Sequence, residues 1–544
     1  MALEEAGMRY SALIAALLGT LIAVLAMPWT APLMGAWAGA AALLFGALAA
    51  LGLHDLFQTR HSLLRNYPLL AHLRFLQEKI RPEIRQYFLE SDLDGVPFNR
   101  STRAIVYQRA KGQLDKRPFG TQYDVYGRDF EWLTHSIAPA PVASPDFRVV
   151  VGGPGCARPY ALSLLNISAM SFGSLSANAI RALNQGAKLG GFAHDTGEGG
   201  FSAHHRVFGG DIIWEIGSGY FGCRDDDGSF NADLFAATAV DPQIKMIEIK
   251  LSQGAKPGHG GVLPGAKVTL EIAAARGVPA GFDCVSPARH STFATPIELM
   301  RFIARLRGLS GGKPVGFKLC IGHPSEFMAL CKAMLETDIT PDFIVIDGKE
   351  GGTGAAPLEF TDHVGTPLRE GLVFAHNTLV GLGLRDKLRI GASGRIVTAF
   401  DIVRALALGA DWCNSARGFM FALGCVQSLS CHTDRCPTGV ATQDPRRQRA
   451  LVIPDKATRV RMFHASTLKA LAELVAAAGA SHPSEIKAAQ IMRRLTRGNV
   501  DSLAEVYPAL RPGQILDGAA PARYRDAWEI ADAHSFAARA RQSA

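Results

Sequence analysis

Charge is scarce in this chain: only 19% of its 544 residues are Asp, Glu, Lys or Arg. That excludes a disordered or coiled-coil protein, since both are built from charge-rich sequence. A GxGxxG run after a first strand is missing, which removes the main signal of a Rossmann nucleotide site. No base-stacking or recognition motif is present either, so the formal charge of +8 does not point to nucleic acid. Part of that charge follows an apolar N-terminal region and part lies in the tail, which suits a membrane-facing role better. Paired cysteines are absent too. Nine is an odd count, and Cys156, Cys223, Cys284, Cys320, Cys331 and Cys413 are scattered through apolar segments. A disulfide framework is thereby excluded and a reducing compartment favoured.

Glycine, by contrast, is abundant, with 56 residues, as expected of an α/β enzyme with many tight loops. The length accommodates one large domain with additions, or two to three smaller ones. Residues 10–27 and 31–53 are apolar and uncharged, separated by Pro28-Trp29-Thr30, and each run is long enough to cross a hydrocarbon core as a helix. Two successive runs, with Glu4 and Glu5 ahead of them, speak against a cleavable signal peptide. Arg9 precedes the first run, Arg60, Arg65 and Arg74 follow the second, and the link between the runs carries no charge. The positive-inside rule then predicts an inner-membrane hairpin over residues 1–53, with the body on the cytoplasmic side.

Residues 54–159 read as a cap or docking layer, with an amphipathic helical stretch over 74–89 interrupted at Arg81-Pro82. From residue 162, short apolar β-type runs alternate with helical segments. Strands are expected at 162–167, 191–194, 246–250, 281–285, 315–320, 343–347, 388–391 and 412–415. Helices fall between several of them, at 177–189, 296–306, 325–336, 372–384 and 398–408. Eight strands in about 250 residues fit an α/β (β/α)8 TIM barrel better than an open sheet. After residue 450 the chain is expected to be helical, at 457–478 and 483–494, with a loosely held tail from about 512.

Cys425, Cys431 and Cys436 stand six and five residues apart in one loop, closed by Pro437. Three thiolates from one loop suit three corners of an iron–sulfur cluster, either three-iron or four-iron with an open corner. A Cys3His zinc site using His432 is the rival, although zinc modules usually bring closer Cys pairs. Around the expected barrel, strand ends carry the chemistry. Ala169, Met170 and Ser171 follow the first strand and Glu198 lies in the next loop, while Gln253 and Lys256 follow the strand ending at 250. Gly351 and Gly352, Ser393, Gly394 and Arg395, and Ala416, Arg417 and Gly418 complete the ring. The amides at 394–395 and 417–418 stand where barrels grip phosphate. A buried cation such as Lys318, with Gln253 at a pyrimidine edge, suits FMN. Each piece alone has an ordinary structural reading as a turn former or ion-pair partner.

The run ISAMSFGSLS, TGEGG, EIKLSQGAKPGHGG, LPGAKV, GGTGAAPLE and CHTDRCPTGVATQDP resembles the FMN-binding synthase domain of glutamate synthases over about residues 160–450. With a hairpin ahead and no glutaminase domain (residue 2 is Ala, where the glutamine-hydrolysing relatives carry a nucleophilic Cys), it is similar to the stand-alone bacterial members. The resemblance implies a barrel holding FMN and a [3Fe-4S] cluster that reduces 2-iminoglutarate, formed from 2-oxoglutarate and ammonia, to L-glutamate. By the same resemblance, Cys425, Cys431 and Cys436 ligate the cluster, and Lys318 and Gln253 lie against the flavin. Lys256 and, by a weaker match, Arg276 hold substrate carboxylates, and Glu198 serves imine formation or proton transfer. Catalytic duty thus falls on Glu198, Lys256 and Lys318.

The chain departs from the family pattern at Val262, where a glutamine is usual, and at Tyr220, where an arginine is. Both changes are expected to reshape the substrate pocket, so a related 2-oxo acid stands beside 2-oxoglutarate. The implied partners are a 2-oxo acid and ammonia, an external electron-donor protein (ferredoxin or a reductase subunit), the membrane, and a separate amidotransferase subunit as a candidate. An N-methylglutamate-synthase-like transferase subunit and a membrane electron-transfer module without turnover are the alternatives.

Overall fold

The computed structural model describes residues 2–29 and 32–539. Thr30 and the side chains of Glu4, Glu5 and Arg9, which enter the hairpin argument, lie outside the described residues. The chain divides into two units, residues 1–100 and 101–544.

In the first unit, helices Ala2–Ala26 and Pro32–Phe57 pack antiparallel. Glycine lets them approach: a Cβ on Gly52 would stand 2.7 Å from Leu13, and one on Gly19 2.9 Å from the Phe45 ring. Within the described residues, Gly35–Phe57 is long and apolar enough to cross a membrane, and Tyr10–Ala26 is a shorter apolar helix. Helix Leu70–Ile84 follows and is not broken at Pro82. The proline sits in its last turn, and a five-residue π turn, Arg85–Leu89, continues the chain. So close to the helix end, one missing N–H disrupts little.

The second unit is built on a closed barrel of eight parallel strands. They are β1 (Leu165–Ile167), β2 (His194–Asp195), β3 (Ile212–Ile216), β4 (Ile244–Lys250), β5 (Val315–Leu319), β6 (Phe343–Asp347), β7 (Arg389–Ser393) and β8 (Trp412–Ser415). Pairing runs in sequence order and closes β8 onto β1 through Cys413–Leu165 and Ser415–Ile167. Helices stand between the strands, among them Ala177–Gly190, Pro296–Leu309, Pro324–Thr337, Leu368–Gly381 and Ala399–Ala407. Helix Ile453–Ala477 lies on Ala177–Gly190, and only glycine fits at 186, where a Cβ would meet Val460 at 2.4 Å.

Two strand expectations are corrected. Residues 281–285 give only Cys284–Val285, paired antiparallel with Val262–Leu263 outside the barrel. The eighth barrel strand is instead β3, IIWEI, whose five residues are all buried. The expected strand 162–167 also divides at Leu164, because Tyr160–Ser163 pairs antiparallel with Arg148–Val151 before β1 begins.

The C-terminal region differs from expectation as well. Residues 483–494 form two short 3-10 turns and a strand, Ile491–Arg494, held between Glu131–Leu133 and Val500–Ser502. Glu131 carries a carboxylate on which Arg369, Arg404 and Arg493 converge. The tail is packed rather than loose. Tyr524 is buried on helix Ala522–Ile530, stacks on Phe374 at 5.5 Å and receives a hydrogen bond from Asn377 Nδ2 at 3.1 Å.

Candidate active site at the barrel mouth

Four inward positions on neighbouring strands are charged: Asp195 on β2, Glu215 on β3, Glu248 on β4 and Lys318 on β5, all fully or nearly buried. Lys318 Nζ is paired with Glu215 Oε2 and lies 3.2 Å from Glu248 Oε1. Burial alone would strip the ammonium of its proton, but Glu215, Glu248, Asp195 and Asp347 outweigh it and hold its pKa well above the ordinary value. Burial pushes Glu248 well up and also raises Asp195, which the Glu215 charge raises further. Lys318 is thus a buried cation, with its charge already shared by carboxylates beneath the mouth.

The mouth itself is cationic. Glu198, Lys250, Gln253, His259 and Gly261 are among the residues lining a small cavity there, with Ser218 and Ser252. Lys250 Nζ stands 3.2 Å from Glu198 Oε2 and donates to Gln253 Oε1 at 3.3 Å. Burial would raise the Glu198 carboxyl, but Lys250, Arg276 and Lys256 prevail and keep it below the ordinary carboxylate value. Glu198 therefore stands ionised. A Cβ on Gly261 would come within 2.2 Å of Glu198 Oε1, so glycine is what lets this loop close over the carboxylate. Lys256 is 96% buried, and among the described residues its Nζ has no hydrogen bond or ion pair. Burial lowers its pKa, a loss only partly offset by Glu198. A largely buried ammonium whose burial is only partly offset by a nearby carboxylate is a candidate for binding a further anion.

Lys250, which sequence reasoning did not single out, also lines the mouth cavity. The Arg276 guanidinium lies beneath the loop after β1, where Nη2 donates to Phe172 O at 3.1 Å and Ser171 Oγ at 3.4 Å. Tyr220 follows β3. Its phenol is fully buried, receives Ser291 N and Thr292 N at 3.1 and 3.2 Å, and contacts Thr292 Oγ1 and His290 Nδ1. It props the loop behind Lys250, where His290 Nε2 meets Lys250 O at 2.9 Å, and does not line the mouth cavity. Burial lowers His290 to about 4, so it stays neutral. Val262 lies beside Gly261, half-buried in the small antiparallel pair.

On the other side of the mouth, the loops after β6, β7 and β8 meet. Gln253 Nε2 donates to Gly352 O at 3.1 Å, linking the loop after β4 to the loop after β6. A Cβ on Gly352 would stand 2.8 Å from Arg417 Nε, so the glycine admits the guanidinium, whose Nη2 donates to Glu350 O. Burial, and after it the neighbouring Arg395 charge, lowers Arg417 to about 10. Arg395 and Gly394 both have positive φ, 54° and 149°, which turns the chain sharply after β7. Ser393 Oγ meets Ser168 Oγ at 3.3 Å across the barrel. Helix Arg417–Leu423 starts at Ala416 without a side-chain cap. Two crowded guanidinia at a sharp turn and a helix start are a candidate phosphate site. Ala169, Met170 and Ser171 border this region, pressed by the loop after β2: a Cβ on Gly197 would lie 2.7 Å from Ser171 N.

The loop carrying Cys425, Cys431 and Cys436 holds three non-glycine residues in the left-handed region, Gln427, Leu429 and Asp434. Burial, helped by the charges of Cys431 and Cys436, raises Cys425 to about 12. Cys436 departs in the other direction: its burial is outweighed by hydrogen bonds from Thr438, Val440 and Ala441. Lys267, buried nearby, donates to Cys431 O and Ser174 O at 3.1 Å. The only described group whose ligand atoms all crowd within 4.8 Å is Asp195, Glu215 and Glu248, already served by Lys318. The three sulfurs and His432 do not form such a group among the described residues.

A closed parallel barrel with ionised and cationic side chains gathered at the C-terminal ends of its strands is an enzyme barrel. Residues 157–481 match the model of the conserved region in glutamate synthase. The chain belongs to the glutamate synthase family. It is 39% identical over 493 residues to the glutamate synthase large subunit-like protein YerD of Bacillus subtilis, covering 83% of this chain and 94% of that one. The archaeal glutamate synthase [NADPH] of Methanocaldococcus jannaschii is 37% identical over 314 residues, 58% of each chain. An archaeal-type glutamate synthase [NADPH] of Thermotoga neapolitana is 38% identical over 280 residues, 51% of this chain and 52% of its own. This chain thus spans only about half to three-fifths of those two enzymes. Among solved structures, a double-mutant flavocytochrome b2 with pyruvate bound aligns over 82% of this chain and 91% of its own at 12% identity, with a TM-score of 0.41, a likeness too low to carry an argument.

Proposed function

We propose that this chain is an FMN- and iron–sulfur-dependent oxidoreductase that reduces the imine of 2-oxoglutarate, or a related 2-oxo acid, and ammonia to the amino acid. The observation that carries the reading is Lys256, a buried ammonium with no partner among the described residues, beside an ionised Glu198. Ser393, Gly394, Arg395, Arg417 and Gly418 would hold the FMN phosphate, Gln253 and the loop of Ala169, Met170 and Ser171 its ring, and Cys425, Cys431 and Cys436 the cluster. Bound FMN supplies a hydride, and the cluster supplies electrons one at a time.

The residues divide the remaining work. Lys256 pairs with a carboxylate of the oxo acid, and Lys250 lies close enough to Glu198 to steady a second anionic oxygen. Glu198, held ionised, accepts a proton from the incoming amine and stabilises the positive charge of an iminium. Burial at Lys256 and Glu198 strengthens both attractions by removing water. Val262 presents an apolar surface next to Glu198 and sets which oxo acid fits. Electrons come from a separate donor, for which the bracketed NADPH of two relatives suggests a reductase partner.

Helices Ala2–Ala26 and Pro32–Phe57 form, in the same proposal, a hairpin in the inner membrane with both ends in the cytoplasm. The support is the apolar span Gly35–Phe57, on which Trp37, Leu43 and Leu44 are exposed, and the run of arginines after it. Anaerobic purification with flavin, iron and sulfide analysis tests the cofactors. An assay of 2-oxo acids with ammonium and reduced ferredoxin then tests the chemistry, glutamate being the expected product. A chain that carries neither flavin nor iron, or that forms no amino acid from any 2-oxo acid when fully loaded, overturns the reading.

A further inference from the structure

Helix Leu70–Ile84 is exposed along its length from Leu73 onward, although its sequence is not that of a free-standing helix. Leu73, Leu76, Ile80 and Ile84 recur at three- and four-residue spacing, so they share one stripe along its surface. All four are exposed, Leu73 at 59%, and Phe88, in the π turn that follows, reaches 82%. A stripe of this kind in water is an unmet demand for an apolar neighbour.

Two observations identify the neighbour. The first is attachment. Asp55, at the end of helix Pro32–Phe57 and 99% buried, accepts Leu69 N at 3.1 Å and pairs with His72 Nε2 at 2.9 Å. The amphipathic helix therefore begins at the very end of the apolar hairpin. The second is charge. From Arg60 to Arg85 the chain carries six basic residues against Glu78 and Glu83. Arg74, Arg81 and Arg85 follow one border of the apolar stripe. Arg74 shares its charge with Glu78 in an exposed pair, which phosphates displace easily, and Arg85 with Glu90, whose side chain is 14% exposed.

We propose that helix Leu70–Ile84 lies in the surface of an anionic lipid bilayer, with the Leu73–Leu76–Ile80–Ile84 stripe among the acyl chains and the arginines on headgroup phosphates. An apolar stripe bordered by arginine is the composition that seats a helix in the interface plane. The proposal rests on the membrane hairpin and extends it: the chain leaves the bilayer and at once lies down on it, which fixes how far the following segment can stray from the lipid.

The test uses the full chain in vesicles of phosphatidylcholine with phosphatidylglycerol, a photoactivated carbene reagent dissolved in the acyl phase, and peptide mass spectrometry. Label is expected on residues 35–57 and also on 70–89, concentrated on the stripe and sparing Glu78 and Glu83. The double variant Leu76→Glu with Ile80→Glu should lose label over 70–89 by at least about tenfold with 35–57 unchanged, and vesicles of phosphatidylcholine alone should give less label over 70–89. Label on 35–57 without label on 70–89 overturns the proposal and leaves the hairpin standing, and cross-linking then shows whether a second copy or the barrel covers the stripe. No label on either segment removes the hairpin and the proposal together. Label over 70–89 that is indifferent to the double variant or to headgroup charge overturns the stated mode of contact.

Discussion

Lys318 and Lys256 are equally buried, at 4% exposure each, yet one is surrounded by carboxylates and the other has none in contact. The inner layer of the barrel is a closed account of charge, in which Glu215, Glu248 and Asp195 keep Lys318 protonated and burial raises the pKa of Glu248 and Asp195. The mouth is left open. Lys250 and Lys256 face a single Glu198, which they keep ionised. The two lysines thus differ in counter-charge and not in exposure.

Four variants sharpen or break that comparison. Lys318→Met strands the acidic layer, so we expect a loss of about 3–5 kcal/mol in chemical denaturation, with part of it recovered when Glu248→Gln is added. A Lys318→Met chain of unchanged stability would put that lysine on the binding side instead. Lys256→Met removes an unpaired charge, so stability should hold or rise while KM for the oxo acid climbs about 10- to 100-fold and the flavin spectrum stays. Loss of flavin together with KM would mean that Lys256 belongs to the cofactor site.

Lys250→Met acts on pH. Glu198 has a lowered folded pKa, so its contribution to stability is full above the ordinary 4.5 and fades as pH falls through the lowered value. Without Lys250 that carboxyl rises, and the acid limb of the pH–rate profile should move to higher pH; an unmoved limb would separate Glu198 from turnover. Gly261→Ala is the mildest. The Glu198 carboxylate can swing away from the added methyl, so stability should change by less than about 1 kcal/mol while kcat falls, as steady-state kinetics would show.

Much of the barrel was legible because its strands are short apolar runs punctuated by glycine. Strands 343–347 and 412–415 were placed to the residue. IIWEI was not among the expected strands, whereas GFDCV looked like a strand and is held only as a two-residue pair. The inner layer was hidden too. Charge within each of IIWEI, MIEIK, VGFKL and FIVID is a repeated signal across four strands, but inward charge is not what a core is expected to hold. The mouth loops were easier to read, since glycine, serine and lysine cluster there in sequence. That Arg276 bonds beneath the loop after β1 and Tyr220 beneath the loop at 290–292 depends on partners about 70 to 105 positions away, such as Ser171 and Thr292, which no local pattern announces. The strand at 491–494 was missed for the same reason, its ladder being completed by residues 131–133.

That ladder has a bearing on how the molecule comes to exist at all. Glu131 is made early and Arg493 more than 350 residues later, with Arg369 and Arg404 in between, so the carboxylate waits through most of translation for the last guanidinium it will hold. A nascent chain leaving the ribosome therefore cannot seal this seam until the barrel is complete. Chains stalled before residue 491 should be open to proteases at the seam, a built-in check that the whole enzyme has been synthesised.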